Sequence, residues 1–277
     1  MLHFSCQTGD HVSLTQEYIS DNQNSLQTIS MMGDKMKSEG RPLGIISGTI
    51  SLDQLDLKNS KKILYETDFG KVSLSVSDEV ILMHRHGIDP DNHILPHAIN
   101  HRANFSVFKE LGVSSVIGVH STGSLKVALK PGMMVVPDDF ICLVNMQSIF
   151  TNKAFHITPS LNDTVRHNLL NTIRKIGADV VDGGVYWQMP GPRLETKAEI
   201  RFLSQFADLV GMTMASEAVA ANELDLPFAS LCSVDNYANG VVEQQLSHMD
   251  INTNARKNQS LIIEILRTYI QDDTKKD

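Results

Sequence analysis

The chain has 277 residues, of which 42% are hydrophobic and 20% are charged. These proportions are typical of a globular protein with enough apolar material for one large core. The formal net charge of −8 argues against sequence-independent binding of nucleic acid, because such binding depends on Lys and Arg neutralising phosphates. It leaves open a small anionic substrate held by a few local donors.

The three cysteines, Cys6, Cys142 and Cys232, are widely spaced and form no C-x-x-C pair. Neither a disulfide framework nor a zinc site is therefore predicted. The first residues lack the basic and apolar regions of a signal peptide, and no apolar stretch reaches membrane-spanning length. We expect a cytoplasmic protein with no membrane partner.

Composition divides the chain into two regions. Residues 1–40 are polar and are predicted to form an N-terminal extension with one weak helix. Residues 41–277 are predicted to form a single domain. Within it, short apolar runs predict strands at 43–48, 62–66, 71–76, 79–83, 113–119, 133–137, 181–188, 208–212 and 228–234.

Helical patterns lie between several of these strands. They cover residues 97–111, 162–176, about 196–207, 214–224 and 255–270. The first two end at glycines, and Thr196 with Glu199 forms a capping box for the third. Strands that alternate with helices predict a mostly parallel sheet covered by helices.

Three segments offer groups that suit an anion. Thr49 follows the strand in GIISGT, and Arg85 and His86 follow the run VILMH. Arg can bind phosphate with two hydrogen bonds and His can donate one. Thr213 opens the helix 214–224, where its hydroxyl and the next N–H groups lie at the positive end of the helix dipole. Taken singly, an ordinary turn and a solvated loop explain the first two segments as well.

Two side chains suit the edges of a purine. The amide of Asn236 can donate to N7 or O6 of a 6-oxopurine, and the carboxylate of Glu195 can accept from N1–H on the opposite edge. An adenine ring, with donors at N6, would instead favour a carboxylate at the place of Asn236. Without further context, Glu195 is equally a first-turn helix acid and Asn236 a turn residue.

Taken together, these motifs resemble the purine nucleoside phosphorylase and methylthioadenosine phosphorylase family over roughly residues 43–270. The similarity rests on GIISGT, MHRHG with the helix after it, STGSL, KPGMMVVPDDFI, GPRLET, GMTMASE and the pair Asp235-Asn236, which occur in the family's order. The resemblance implies a single α/β domain around a distorted, mostly parallel mixed sheet, assembled as a homotrimer or hexamer. It also implies inorganic phosphate as co-substrate, with no cofactor and no metal.

The resemblance assigns roles to individual residues. Phosphate would be bound by Thr49, Arg85, His86, Ser121 and Thr213. The nucleoside would be bound by Glu195, Met212, Asp235 and Asn236, with Asn236, Glu195 and His86 as the catalytic residues. The pair formed by Glu195 and Asn236 resembles the enzymes for 6-oxopurines, so phosphorolysis of inosine or guanosine to the free purine and ribose 1-phosphate is expected.

Several points stay open at this level. His120 departs from the family's small or hydroxyl-bearing residues and is either a core histidine or a phosphate contact. His248 is a candidate contact of the nucleoside 5′ group, and Arg193 resembles the methylthioadenosine branch. The alternatives are therefore phosphorolysis of S-methyl-5′-thioadenosine or S-methyl-5′-thioinosine, hydrolysis of the same bond, and non-catalytic nucleoside binding.

Overall fold

The structure is a computed structural model that describes residues 41–88, 90–243 and 248–273, with side chains at all of these positions except 90 and 248–252. The predicted extension 1–40 lies outside the described residues, so its separation from the domain stays a prediction.

Eleven strands of the described chain form one mixed sheet. They are β1 (Leu43–Ser47), β2 (Lys61–Thr67), β3 (Gly70–Val76), β4 (Val80–His84), β5 (Val116–Ser124), β6 (Met134–Val136), β7 (Asp139–Cys142), β8 (Val180–Asp182), β9 (Val185–Gln188), β10 (Leu209–Gly211) and β11 (Phe228–Tyr237). Six of the strand pairings are parallel and four are antiparallel. The predicted single α/β domain with a distorted, mostly parallel sheet is confirmed.

Helices cover this sheet. They are α1 (His101–Glu110), α2 (Asp163–Lys175), α3 (Lys197–Leu203), α4 (Met214–Glu223) and α5 (His248–Asp273). The side chains of Asn100 and Asn162 cap α1 and α2, and the predicted capping box of Thr196 and Glu199 begins α3. Helices α2 and α5 pack together over one hydrophobic core, whereas α1 and α4 pack against each other.

Strand β5 is the centre of the sheet, since it pairs with three others. It runs parallel to β1 and β11 and antiparallel to β10 near its carboxyl end. The pairing with β11 has an irregular register between Val234 and Asn236, where Asp235 is an extra residue of the bulge type. The carboxyl ends of β1, β4, β5 and β11 therefore meet at one edge of the sheet.

The structure departs from the predicted elements where polar residues continue a strand or glycines interrupt one. Strand β5 extends to Ser124 through polar residues that the apolar run at 113–119 did not include. Gly183 and Gly184, both with positive φ, divide the predicted strand 181–188 into β8 and β9. The short edge strand β7 was not predicted, because its four residues carry no clear alternation.

Candidate active site

A cavity of about 410 Å³ opens where the carboxyl ends of the parallel strands meet, a size and position usual for small-molecule sites in α/β proteins. Its lining is polar in one part and apolar in another. The polar residues are Thr49, Arg85, His86, His93, Ser121, Thr122, Glu195, Thr213 and Asn236. The other residues are Leu95, Pro96, Gly123, Pro192, Leu194, Val210, Gly211, Met212 and Ala238.

The predicted phosphate-binding residues Thr49, Arg85, His86, Ser121 and Thr213 all lie in this one cavity. Their neighbour Ser47 does not: it is fully buried, and its hydroxyl donates to the carbonyl of Ile50 over 2.5 Å. A Cβ at Gly48 would lie 2.6 Å from Nη1 of Arg85 and 2.9 Å from Nε2 of His86. The glycine therefore lets both side chains approach the turn that carries Thr49.

His86 faces the cavity with a defined tautomer. Its Nδ1 lies 2.6 Å from the carbonyl oxygen of Ile94, which can only accept, so Nδ1 carries the proton. Burial lowers the pKa of His86 to about 4 despite that hydrogen bond. At neutral pH the remaining nitrogen, Nε2, is consequently an acceptor. The predicted hydrogen bond from His86 to phosphate therefore requires a proton that the anion brings or that binding takes up.

The N-terminus of α4 differs from the expected anion site. The backbone N–H groups of Thr213 and Met214 point at the hydroxyl oxygen of Tyr186, at 3.3 and 3.5 Å, and that of Ser216 donates to Gln188 Oε1 over 3.0 Å. The Thr213 hydroxyl makes no capping hydrogen bond. Thr213 thus offers the cavity its hydroxyl, while protein groups occupy the amides that the sequence assigned to the anion.

Arg85 reaches the cavity but faces mostly inward. It is only 4% exposed, and its Nε donates to Glu217 Oε1 over 2.6 Å. Nη1 and Nη2 donate to the backbone carbonyls of Val119 and Ile46, at 2.9 and 3.1 Å. The expected bidentate contact of Arg85 with phosphate is corrected, because Glu217, which sequence reasoning missed, occupies that fork. The residue type at position 217, a helix acid one turn after Thr213, gives no signal of this pairing.

The predicted base-binding residues Glu195, Met212 and Asn236 also line the cavity. Glu195 is 6% exposed, and burial raises the pKa of its carboxyl group. The amide nitrogen of Asn236 donates to the carbonyl of Tyr237 over 2.9 Å, which leaves one amide hydrogen and the amide oxygen for a ligand. Donor and acceptor are thus both present at this end.

Asp235 is the exception among the predicted substrate-binding residues. It is fully buried and is not among the residues that line the cavity, and its carboxylate accepts hydrogen bonds from Ser233 over 2.5 Å and Asn258 over 3.2 Å. Burial raises its pKa, and hydrogen bonds from Ser121, Ser233 and Asn258 oppose this rise. Asp235 is thus held in the interior by neighbouring side chains, and its predicted direct contact with the purine stays a prediction.

Three further residues raised by the sequence are placed as follows. His120 is a core histidine, 2% exposed, and contacts Glu217 and Arg85 behind the cavity. Arg193 is exposed and pairs with Glu199 over 2.7 Å. His248 begins α5, and its side chain lies outside the described residues. Within those residues no group of three or more His, Cys, Asp or Glu could hold a metal ion.

Comparison with known proteins gives the family. A model described as the phosphorylase superfamily matches residues 45–271. The chain belongs to the phosphorylase superfamily. It is accordingly an enzyme, a pentosyltransferase of that superfamily, and its relatives are named nucleoside phosphorylases. Where the structure describes the chain, no helix is long and apolar enough to cross a membrane.

Relatives of the chain are named for two different substrates. The chain is 38% identical over 234 residues to a probable 6-oxopurine nucleoside phosphorylase of Archaeoglobus fulgidus, covering 83% of this chain and 96% of the relative. It is 35% identical, also over 234 residues, to a probable S-methyl-5′-thioinosine phosphorylase of Methanocaldococcus jannaschii, covering 82% and 91%. Methylthioadenosine phosphorylase from Schistosoma mansoni in complex with adenine has the same fold, with a TM-score of 0.78, 23% identity and coverage of 86% of this chain and 93% of that one.

Proposed function

We propose that the protein cleaves the N-glycosidic bond of a 6-oxopurine nucleoside with inorganic phosphate and releases the purine and a pentose 1-phosphate. One observation carries the proposal: a single cavity holds Asn236 and Glu195 together with the hydroxyl donors, Arg85 and His86. This phosphorolysis needs both ends at once. One end accepts charge on the departing base and the other holds an anion beneath the sugar.

The chemistry follows from the two ends. As the glycosidic bond breaks, positive charge grows on the pentosyl group, and the phosphate held by Thr49, Ser121, Thr213 and Arg85 stabilises it. The bonding electrons pass to the purine ring, where the free amide hydrogen of Asn236 donates to N7 or O6 and stabilises the negative charge. Phosphate oxygen then bonds to the anomeric carbon. We propose inorganic phosphate as the co-substrate, with neither a cofactor nor a metal taking part.

A second candidate substrate is S-methyl-5′-thioinosine, which carries the same base. Apolar Leu95 and Pro96 line the cavity beside His93, whose ring stacks on His86 at 4.6 Å between centroids. Such a surface suits a methylthio group better than a hydroxyl group. The relative from Methanocaldococcus jannaschii, named for this substrate, supports the same alternative.

The test is release of free purine from inosine, guanosine, adenosine and the two 5′-methylthio nucleosides, with and without inorganic phosphate. We expect release that depends on phosphate and is fastest with a hypoxanthine or guanine nucleoside. Release without phosphate would show a hydrolase, and a preference for adenine would refute the 6-oxopurine assignment.

Assembly as a homotrimer or hexamer and a cytoplasmic location stay predictions, and light scattering that returned a monomer would contradict the first.

A further inference from the structure

A cluster of buried ionisable side chains lies directly behind the phosphate end of the cavity. Arg85 is 4%, His120 2% and Glu217 0% exposed, and only Arg85 is part of the cavity lining. Buried charges are costly unless they are paired and hydrogen-bonded. The contacts within this cluster show what it does for Arg85.

Glu217 holds the guanidinium group of Arg85 in one orientation. Its Oε1 accepts from Nε of Arg85 over 2.6 Å, and its Oε2 accepts from Nη2 over 3.3 Å. His120 Nε2 lies 3.0 Å from the same Oε2. Burial alone would raise the pKa of Glu217, but the charge of Arg85 and the contact with His120 outweigh it and lower that pKa to about 2. Glu217 is therefore ionised, and the fork-to-fork contact fixes orientation.

The remaining contacts leave Arg85 one free donor. A guanidinium group has five N–H groups. Nε–H and one hydrogen of Nη2 bond Glu217, the second hydrogen of Nη2 bonds the Ile46 carbonyl, and one hydrogen of Nη1 bonds the Val119 carbonyl. Among the described residues, only the second hydrogen of Nη1 has no acceptor. Nη1 is also the nitrogen that lies against Gly48, beside the predicted phosphate-binding turn.

The tautomer of His120 follows from its partners. Ser230 Oγ lies 2.8 Å from Nδ1 and 3.2 Å from the thiol of Cys232. Burial raises the pKa of that thiol to about 12, so it keeps its hydrogen. If Ser230 donates to Nδ1, then Nε2–H donates to Glu217. In the opposite tautomer Nε2 could accept from Nη2 of Arg85, 3.2 Å away, but its lone pair would also face the Glu217 carboxylate oxygen at 3.0 Å, which is unfavourable.

We propose that His120 and Glu217 are positioning residues that aim the single free N–H of Arg85 at phosphate. This inference rests on the proposed function and deepens it. Glu217 lies four residues after Thr213, on the same side of α4. The ion pair between Arg85 and Glu217 therefore also ties the Thr213 hydroxyl to the end of β4.

The cluster changes how the anion is held. The charges of Arg85 and Glu217 cancel, and burial first, then the charge of Arg85, keeps the pKa of His120 low, so the imidazole adds no charge. Phosphate is then bound by directed hydrogen bonds rather than by net positive charge. The affinity of such a site for phosphate depends strongly on the orientation of each donor. His120 affects that affinity only through the orientation of Arg85.

The experiment compares His120→Leu with His120→Gln. Leucine fills a similar volume without a donor, whereas the glutamine amide nitrogen can take the place of Nε2 and donate to Glu217. We expect His120→Leu to raise the KM for phosphate about tenfold and to leave the KM for the nucleoside within about twofold, because the lost hydrogen bond is to a charged group. His120→Gln should keep both values near those of the unmodified protein.

Phosphate protection against thermal unfolding gives a readout that does not require turnover. The unmodified protein and His120→Gln should gain more in Tm from phosphate than His120→Leu. Equal protection in all three, or an equal rise of both KM values in His120→Leu, would reduce His120 to a core residue.

If His120→Leu does not fold, His120→Asn takes its place, since its shorter amide does not reach Glu217. An unmodified protein that shows no phosphate protection would refute the phosphate site and the positioning role with it, whereas protection without nucleoside cleavage would refute only the function.

Discussion

Asn236 is the residue on which the substrate assignment depends. Its amide nitrogen is anchored on the Tyr237 carbonyl, and a Cβ at Gly123 would lie 3.2 Å from the same nitrogen. Gly123 therefore leaves room for the amide, and its hydrogen bond to Tyr237 leaves one hydrogen for a ligand. This is the donor that a 6-oxopurine requires at O6 or N7.

Replacing this donor should change the preferred base. In Asn236→Asp an acceptor replaces the donor, and a negative charge opposes the charge that arrives on the purine. We expect kcat/KM for inosine to fall by about thirtyfold, or ~2 kcal/mol, while adenosine loses less or gains. The ratio of the two substrates is the measurement, because it cancels damage to folding. An unchanged ratio would contradict the assigned contact.

His86 predicts how phosphate binding depends on pH. Its neutral ring presents Nε2 as an acceptor, so the complex holds one proton more than neutral His86 and the phosphate dianion hold separately. Above the second pKa of phosphate, the KM for phosphate should rise about tenfold per pH unit. His86→Gln, whose amide nitrogen can donate without taking up a proton, should show a flatter profile. The same slope in both proteins would show that His86 does not share this proton, and the nucleoside KM serves as the control.

At the scale of elements, the bulge in β11 connects the base end of the cavity to α5. Asn258 on α5 donates to Ser233 Oγ over 2.7 Å and to the Asp235 carboxylate over 3.2 Å. Asn254, one turn earlier, donates to the Asp235 backbone carbonyl over 2.8 Å. Helix α5 thereby fixes the conformation in which Asn236 lines the cavity and Asp235 is fully buried.

Loss of this anchor should affect both stability and nucleoside binding. Asn258→Leu leaves the buried carboxylate of Asp235 without one of its donors, which costs about 1–3 kcal/mol of unfolding free energy. The KM for the nucleoside should rise because Asn236 is held less firmly. Denaturant unfolding and steady-state kinetics measure the two effects. Arg256→Ala, at an exposed position of the same helix, is the matched control, and equal behaviour of the two variants would contradict the role of Asn258.

Much of the site could be predicted because its lining residues sit in short motifs at strand ends. Thr49, His86, Ser121 and Asn236 follow apolar runs, and the edge of a parallel sheet gathers such positions. Glu217, Tyr186 and the orientation of Arg85 could not be predicted. Each depends on a contact between residues far apart in the chain, such as the 132 positions that separate Arg85 from Glu217. Strand periodicity carries no information about such a pairing.

For the molecule as a whole, buried histidines predict a loss of stability in mild acid. Burial lowers the pKa of His101, and of His86, from 6.5 to about 4. The unfolded chain therefore binds more protons than the folded one between these values, so stability falls as pH drops below about 6.5. Each such imidazole contributes up to ~1.4 kcal/mol per pH unit.

Thermal unfolding between pH 7 and pH 4 measures this slope. His101→Leu removes one of the titrating groups and should make the dependence of Tm on pH shallower. Protonation of Glu217 affects stability only at lower pH, because the stability that comes from its depressed pKa is lost as pH falls from 4.5 toward about 2. A slope that is unchanged in His101→Leu would show that His101 does not titrate on unfolding.

The central place of β5 also determines when the cavity can form. This strand needs β1 on one side and β11 on the other, and the contact between His120 and Ser230 joins positions 110 residues apart. Contacts of such long sequence separation form slowly, because the intervening chain must first lose its freedom. Thr49, at the phosphate end, follows β1, and Asn236, at the base end, belongs to β11, so the cavity is complete only when both strands have paired with β5. Catalytic competence should therefore return in the slowest phase of refolding, after most helix signal has already been regained.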